Sequence, residues 1–262
     1  MTIFEVVILS IVQGLTEFFP VSSSGHLAVI PHMFGFTMYN PVAFDIFLHL
    51  GTLGAVTLFL WKDLISIVRR VFQMDKTVFP LLLKIVIALL PAMVAGLLFN
   101  DMISGLFEDI MKVGYIGYAF LGTALLLFCS IFFLRGKKTM ESFTYKDALI
   151  IGIFQALALV PGFSRSGFTL FGALLVGLKR KEAFKFSFLI SIPVILGAAL
   201  LEIKDIQQLD VSFGTMVLGF SLALLTGLFA LIWLRKLLNQ AKLWLFGIYC
   251  AILGLLVIGL FF

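Results

Sequence analysis

Between Gln13 and His26 the chain reads QGLTEFFPVSSSGH, which sets an amide, a carboxylate, a proline, three serines, a glycine and an imidazole inside otherwise apolar sequence. A near copy, QALALVPGFSRSGFT, runs from Gln155 to Thr169. In it Gln155, Leu157, Ser164, Ser166 and Gly167 repeat Gln13, Leu15, Ser22, Ser24 and Gly25, and Pro161 falls one place out of register with Pro20. The two stretches read as halves of one site. Gln13 and Glu17 are i and i+4, so on a helix their side chains share a face just before Pro20. Ser22, Ser23 and Ser24 then open a second helix, whose free N–H groups take a hydroxyl cap and favour an anion. Ser164 and Ser166 repeat that arrangement, and Arg165 adds a permanent cation whose planar fork suits two phosphate oxygens. One half offers carboxylate and imidazole, the other guanidinium. The asymmetry suits a phosphate ester held between a metal or proton-transfer side and a charge-clamping side.

The elements that must position these groups are helices in a membrane. Hydrophobic residues make up 61% of the 262 and charged residues 13%, with a mean hydropathy of +1.15; a soluble domain has about 45–50% and about 25%. Six apolar runs reach the length of roughly 20 residues that a spanning helix needs, at 43–61, 78–99, 115–134, 183–202, 213–234 and 242–262. Residues 3–35 and 147–177 are apolar but interrupted by Pro, Ser and Gly, so each reads as two half-helices that enter and leave on one face. The chain is therefore expected to be an all-α polytopic membrane protein with six transmembrane helices and two re-entrant helix-loop-helix hairpins.

Charge placement supports this topology. With six crossings and two hairpins, 15 of the 19 Lys and Arg fall on one side, from Lys62 through Lys137 and Arg180 to Lys242, and Lys112 and Lys204 fall on the other. Lys84, near the basic end of its helix, is expected to snorkel, and Arg165 belongs to the second motif. The positive-inside rule makes the cation-rich side cytoplasmic and puts both termini outside. The net charge of +5 thus reflects orientation in a bilayer, and no nucleic-acid partner is expected. Cys129 and Cys250 lie in apolar runs without paired spacing and read as packing residues. The first residues carry Glu5 and no basic segment, which argues against a cleaved signal peptide.

Residues 1–134 (hairpin 3–35 and three crossings) and 147–262 (hairpin 147–177 and three crossings) form two repeats, and Ala43-Phe44 against Ala183-Phe184 extends the likeness. Three crossings is an odd number, so the second repeat must be inverted. The hairpins then enter from opposite faces and their broken tips meet near the midplane, an architecture known from secondary transporters.

With AFDIFLHLGTLGAV and FSFLISIPVILGA, the two motifs resemble the undecaprenyl-diphosphate phosphatase family of bacterial inner membranes, linked to bacitracin resistance. The resemblance covers both repeats. It implies hydrolysis of undecaprenyl diphosphate to the monophosphate used in peptidoglycan assembly, assisted by Mg2+ or Ca2+. It further implies a site open to the outer face, and homodimers. Gln13 and Glu17 match the two positions of the family's Glu/Gln-x-x-x-Glu motif; many members carry a carboxylate at the first, where an amide brings no charge to a metal. Ser23 and His26 match its serine and histidine, and Ser164, Arg165 and Thr169 match its Pro-Gly-x-Ser-Arg-Ser-x-x-Thr motif. These matches assign Arg165 to the diphosphate, Glu17 to the metal or to proton transfer, and Ser23 or His26 to the nucleophile or base. Ser22, Ser24, Ser166 and Gln13 complete the expected substrate contacts.

Each assignment has a structural rival. Glu17 could serve as a cap partner, His26 as a hydrogen-bonding link to the other tip, the serines as backbone caps, and Arg165 as Glu17's closed ion-pair partner. Asp45 and His49, also i and i+4, could serve the site or face water. Gly51, Gly54, Gly114 and Gly117 suit close helix packing. A transporter or flippase of the lipid carrier, or of another anion, is the alternative on the same inverted fold, because fold does not dictate function. The conjunction of Glu17, His26 and Arg165 favours the enzyme. A channel is weaker still, since no ring of charges is present.

Overall fold

In a computed structural model, residues 1–36, 41–108, 110–201, 206, 209 and 211–261 are described, with the backbone alone at 41–42, 99–108 and 110–112. Lys204, Asp109 and residues 202 and 262 of two expected runs lie outside them. The described residues form eleven α-helices and one 3-10 turn, Ser130–Phe133.

The two motifs fall on two broken helix pairs: α1 (Ile3–Phe18) with α2 (Ser23–Phe34), and α7 (Tyr145–Leu157) with α8 (Arg165–Leu175). Both first helices start from a capping box. Thr2 accepts from the Glu5 amide at 3.3 Å while its own amide donates to Glu5 at 2.7 Å, and Thr144 and Asp147 do the same at 3.2 and 2.7 Å. Both second helices start on a serine: Ser22 Oγ accepts from the Gly25 amide at 3.2 Å and Ser164 Oγ from the Gly167 amide at 3.1 Å. These caps satisfy orphan N–H groups that would otherwise be costly away from water.

The apolar runs fall on α3 (Pro41–Phe59), α5 (Phe79–Glu108), α6 (Ile110–Cys129) with the 3-10 turn, α9 (Arg180–Leu201), α10 (Phe213–Asn239) and α11 (Trp244–Phe261). Five of these are long and apolar enough to cross a membrane alone; α3 passes only together with α4 (Trp61–Phe72), from which it is bent by 74°. No residue of α4 is buried. It exposes Trp61, Ile65, Val68 and Phe72 along one stripe, with Lys62, Arg69 and Arg70 elsewhere on its surface, the composition of a helix that lies along a bilayer surface.

The most extensive helix pairings are α6 with α11, α1 with α10, α5 with α7, and α10 with α3. Small residues allow them. A Cβ on Gly117 would sit 2.7 Å from Gly254 O, and one on Gly51 would sit 2.7 Å from Phe220 O, so larger side chains would push these helices apart. A phenylalanine cluster lies between the repeats, with Phe18 edge-on to Phe188 at 5.6 Å and Phe188 against Phe184 at 4.6 Å. Phe18 is fully buried there, which fixes the end of α1 beside Glu17. Lys84 does not reach water as expected. It is buried, donates to the carbonyls of Met140 and Glu141 at 3.1 Å each, and lies 4.2 Å from the Phe143 ring centroid; backbone acceptors and an aromatic face replace its solvation.

Candidate active site

The two helix breaks touch. Ser166 Oγ donates to Phe19 O at 3.2 Å, and a Cβ on Gly25 would lie 3.1 Å from Gly162 Cα. Ser22 holds a φ of 68° and Gly162 one of 91°; the first is an uncommon conformation for a residue with a side chain and marks a backbone held by its surroundings. The Ser164 amide is tied to Thr123 Oγ1 of α6 at 3.1 Å, which anchors the second break.

Glu17 is the centre of this contact and is buried. Its Oε1 pairs with Arg165 Nη2. Its Oε2 accepts from Ser23 Oγ at 2.6 Å and Gln13 Nε2 at 3.2 Å, and lies 3.1 Å from His49 Nε2. An ionised carboxylate away from water is expensive unless charge and hydrogen bonds compensate it; here both oxygens are engaged. Two polar atoms nearby, Gln13 Oε1 and Arg165 Nη1, are buried without a hydrogen-bond partner, and Asp45 Oδ1 has only the His49 ring nitrogen, 3.3 Å away. Such groups are rare in finished structures and mark places where a ligand completes the set.

A cavity of about 910 Å³ opens over this cluster. Glu17, Ser22, Ser23, Ser24, His32, Asp45, His49, Ser164 and Arg165 form its polar part, and Leu27, Phe36, Phe44, Phe163 and Ile195 are among the apolar residues that extend it. A charged head and an apolar tail would fit that division.

Of the residues singled out in the sequence, Gln13, Glu17, Ser23 and Arg165 converge, and Ser22, Ser24 and Ser164 line the cavity beside them. Thr169 is fully buried against protein, donating to Arg165 O at 2.8 Å and sharing a hydrogen bond with Ser187. Ser166 bonds the opposite break. His26 turns away from the cavity: Nδ1 faces Ser22 O at 2.6 Å, Nε2 faces Tyr249 Oη at 2.7 Å, and the ring stacks on Tyr249 at 5.7 Å. Of the pair left open in the sequence, His49 lies at the carboxylate, with Asp45 against its other ring nitrogen. The spacing Asp-x-x-x-His was the available signal, but nothing in it says which way that face of α3 points.

Among the described residues no group of three or more His, Cys, Asp or Glu side chains forms a ready metal cage. The donor set is nonetheless of the right kind for a hard cation shared with substrate. Glu17 and the unpartnered Gln13 Oε1 lie one turn apart on α1, and Mg2+ is commonly held by one or two protein oxygens together with substrate phosphates.

An all-helical, polytopic membrane protein with a buried carboxylate–guanidinium centre at two helix breaks is the class that these features define. Residues 6–256 match the family model described as bacitracin resistance protein BacA, and the chain belongs to that family. It is 44% identical to the undecaprenyl-diphosphatase of Thermosipho africanus (strain TCF52B), over 95% of this chain and 97% of that protein. It is 43% identical to the undecaprenyl-diphosphatase of Methanococcus vannielii (strain ATCC 35089 / DSM 1224 / JCM 13029 / OCM 148 / SB), over 97% and 98%. With the undecaprenyl-diphosphatase of Halothermothrix orenii (strain H 168 / OCM 544 / DSM 9562) the identity is 38%, over 98% of each.

Proposed function

We propose that this protein hydrolyses undecaprenyl diphosphate to undecaprenyl phosphate and inorganic phosphate. The observation that carries the reading is the cluster at Glu17: a serine hydroxyl hydrogen-bonded to one carboxylate oxygen, and a guanidinium on the other whose Nη1 lacks a partner. The diphosphate takes over the Arg165 fork, which holds two of its oxygens and stabilises charge that develops as the P–O bond breaks. Glu17, released from the guanidinium, accepts the proton of Ser23 as its oxygen forms a bond to the terminal phosphorus and undecaprenyl phosphate departs. Water then cleaves the phosphoserine. Ser22, Ser24 and Ser164 supply hydroxyls to the remaining oxygens, and the apolar part of the cavity takes the first isoprene units.

A divalent cation held by Glu17, with Gln13 Oε1 and the diphosphate, would neutralise phosphate charge. The site opens to the outer face of a bacterial cytoplasmic membrane, a reading supported by the cation distribution, and the protein acts as a homodimer, as the resemblance implies. Purified protein in detergent should release phosphate from undecaprenyl diphosphate, and a chelator should suppress the release. Ser23→Ala should lose nearly all of it. A Ser23→Ala protein that keeps wild-type turnover would transfer the attack to water, and a wild-type protein that releases no phosphate would end the proposal.

A further inference from the structure

We propose that His49 is a positioning residue for the Glu17 carboxylate, itself held by Asp45; this rests on the phosphatase reading above. All three histidines of the chain turn Nδ1 toward the carbonyl one helical turn back: His26 to Ser22 O at 2.6 Å, His32 to Ala28 O at 2.7 Å and His49 to Asp45 O at 2.8 Å. That contact fixes ring rotation. What differs is the far nitrogen, and among the described residues only that of His49 meets a carboxylate, Glu17 Oε2 at 3.1 Å. Asp45 Oδ1 lies 3.3 Å from His49 Nδ1, so two acceptors face one ring nitrogen and a carboxylate faces the other. The ring is thereby held from both edges.

The arrangement matters because Arg165 has two claims on it. In the free protein Arg165 and His49 hold Glu17 from opposite oxygens, one from the second hairpin and one from α3. When a phosphate takes the guanidinium, His49 keeps its 3.1 Å contact with Oε2, beside Gln13 Nε2 at 3.2 Å, and holds that oxygen toward Ser23. Without it the carboxylate would rotate toward Arg165 or the cation, and the proton of Ser23 would have no aligned acceptor. His49 lines the same cavity and its side chain retains 20% exposure, so small solutes can reach its position.

The test is a set of three variants assayed with undecaprenyl diphosphate. His49→Met keeps the bulk but lacks a donor, His49→Gln returns an amide donor near the Nε2 position, and His49→Ala leaves space for added imidazole. His49→Met should lower kcat about tenfold or more with KM changed less than about twofold, as loss of an orienting partner does elsewhere. His49→Gln should stay within about threefold of wild type, and imidazole should raise kcat of His49→Ala severalfold without affecting wild type. If His49→Ala does not fold, the Met and Gln variants decide. A folded His49→Met with wild-type kcat overturns the proposal, and so does a rise in KM at unchanged kcat, which would make His49 a substrate contact. A wild-type protein that is itself inactive refutes the phosphatase reading and this inference together; an active wild type with an equally active His49→Met refutes the inference alone.

Discussion

Arg165 presents one terminal nitrogen to Glu17 and leaves the other, Nη1, buried and unpartnered. Two roles compete for such a residue: a closed structural pair with Glu17, or a clamp that trades Glu17 for phosphate. Geometry separates them. A structural pair needs mainly charge, which lysine also supplies, whereas a clamp on two oxygens needs the planar fork. Arg165→Lys should therefore lose at least about a hundredfold in activity, a threshold set below the roughly 10³–10⁵ that arginines contribute to phosphoryl transfer. If the fork acts on charge that develops during P–O cleavage, the loss falls on kcat; if it only anchors bound substrate, KM rises instead. Folded Arg165→Lys protein with near wild-type turnover would assign Arg165 to the structural pair.

At the level of elements, the breaks in the two hairpins are held by the same devices in both repeats. Thr2 and Glu5 begin α1 as Thr144 and Asp147 begin α7, and Ser22 and Ser164 begin α2 and α8. Lys138 adds an ion pair to Asp147 at 2.8 Å, which strengthens the second box. Thr144 lies at the start of α7, a helix length away from the break that carries Arg165, so its loss should be felt in stability and not in chemistry. Thr144→Ala should cost about 1 kcal/mol, a typical value for an N-cap, and lower the thermal midpoint in detergent by about 2–4 °C, with kcat unchanged. An unshifted midpoint would mean that packing of α7 on α5 alone holds that helix.

For the whole molecule, we propose from the cation distribution and an odd number of crossings in each half that the two hairpins enter from opposite faces. Cysteines placed at Lys137 and Arg180 should be protected from an impermeant thiol reagent in intact spheroplasts, whereas a cysteine at Asp109 should react. Lys137 lies in the segment before α7, and Arg180 begins α9, where its guanidinium caps the end of α10 by donating to the carbonyls of Leu238, at 3.3 Å, and Asn239, at 2.5 Å. Labelling of the Arg180 cysteine from outside would place the second hairpin on the wrong face.

The sequence by itself determined what depends on composition and local period: an all-helical membrane chain, the positions of the apolar runs, and two interruptions whose Pro, Gly and Ser residues could not continue a helix. Recurrence of Gln13, Ser22 and Ser24 at Gln155, Ser164 and Ser166 also pointed to the two breaks, from which Glu17, Ser22, Ser23, Ser24, Ser164 and Arg165 reach the cavity, because a site built from two broken helices must carry its polar groups at the breaks. Thr-x-x-Glu and Thr-x-x-Asp also stand before these apolar runs, but only the structure shows that both close capping boxes. What tertiary structure alone decided is the direction of side chains whose partners lie far along the chain. His26 and His49 have the same residue type and the same bond to the preceding turn, yet one ring meets Tyr249 of α11 and the other meets Glu17. The difference comes from how α2 and α3 are rotated against their neighbours, set by packing such as that of Gly51 on Phe220 and of Phe120 against His26, and no local period encodes such a rotation. For the same reason the pairing of Arg165 with Glu17 stood in the sequence only as one of two open roles: it depends on two hairpins from different repeats meeting tip to tip, and only the folded chain brings them together.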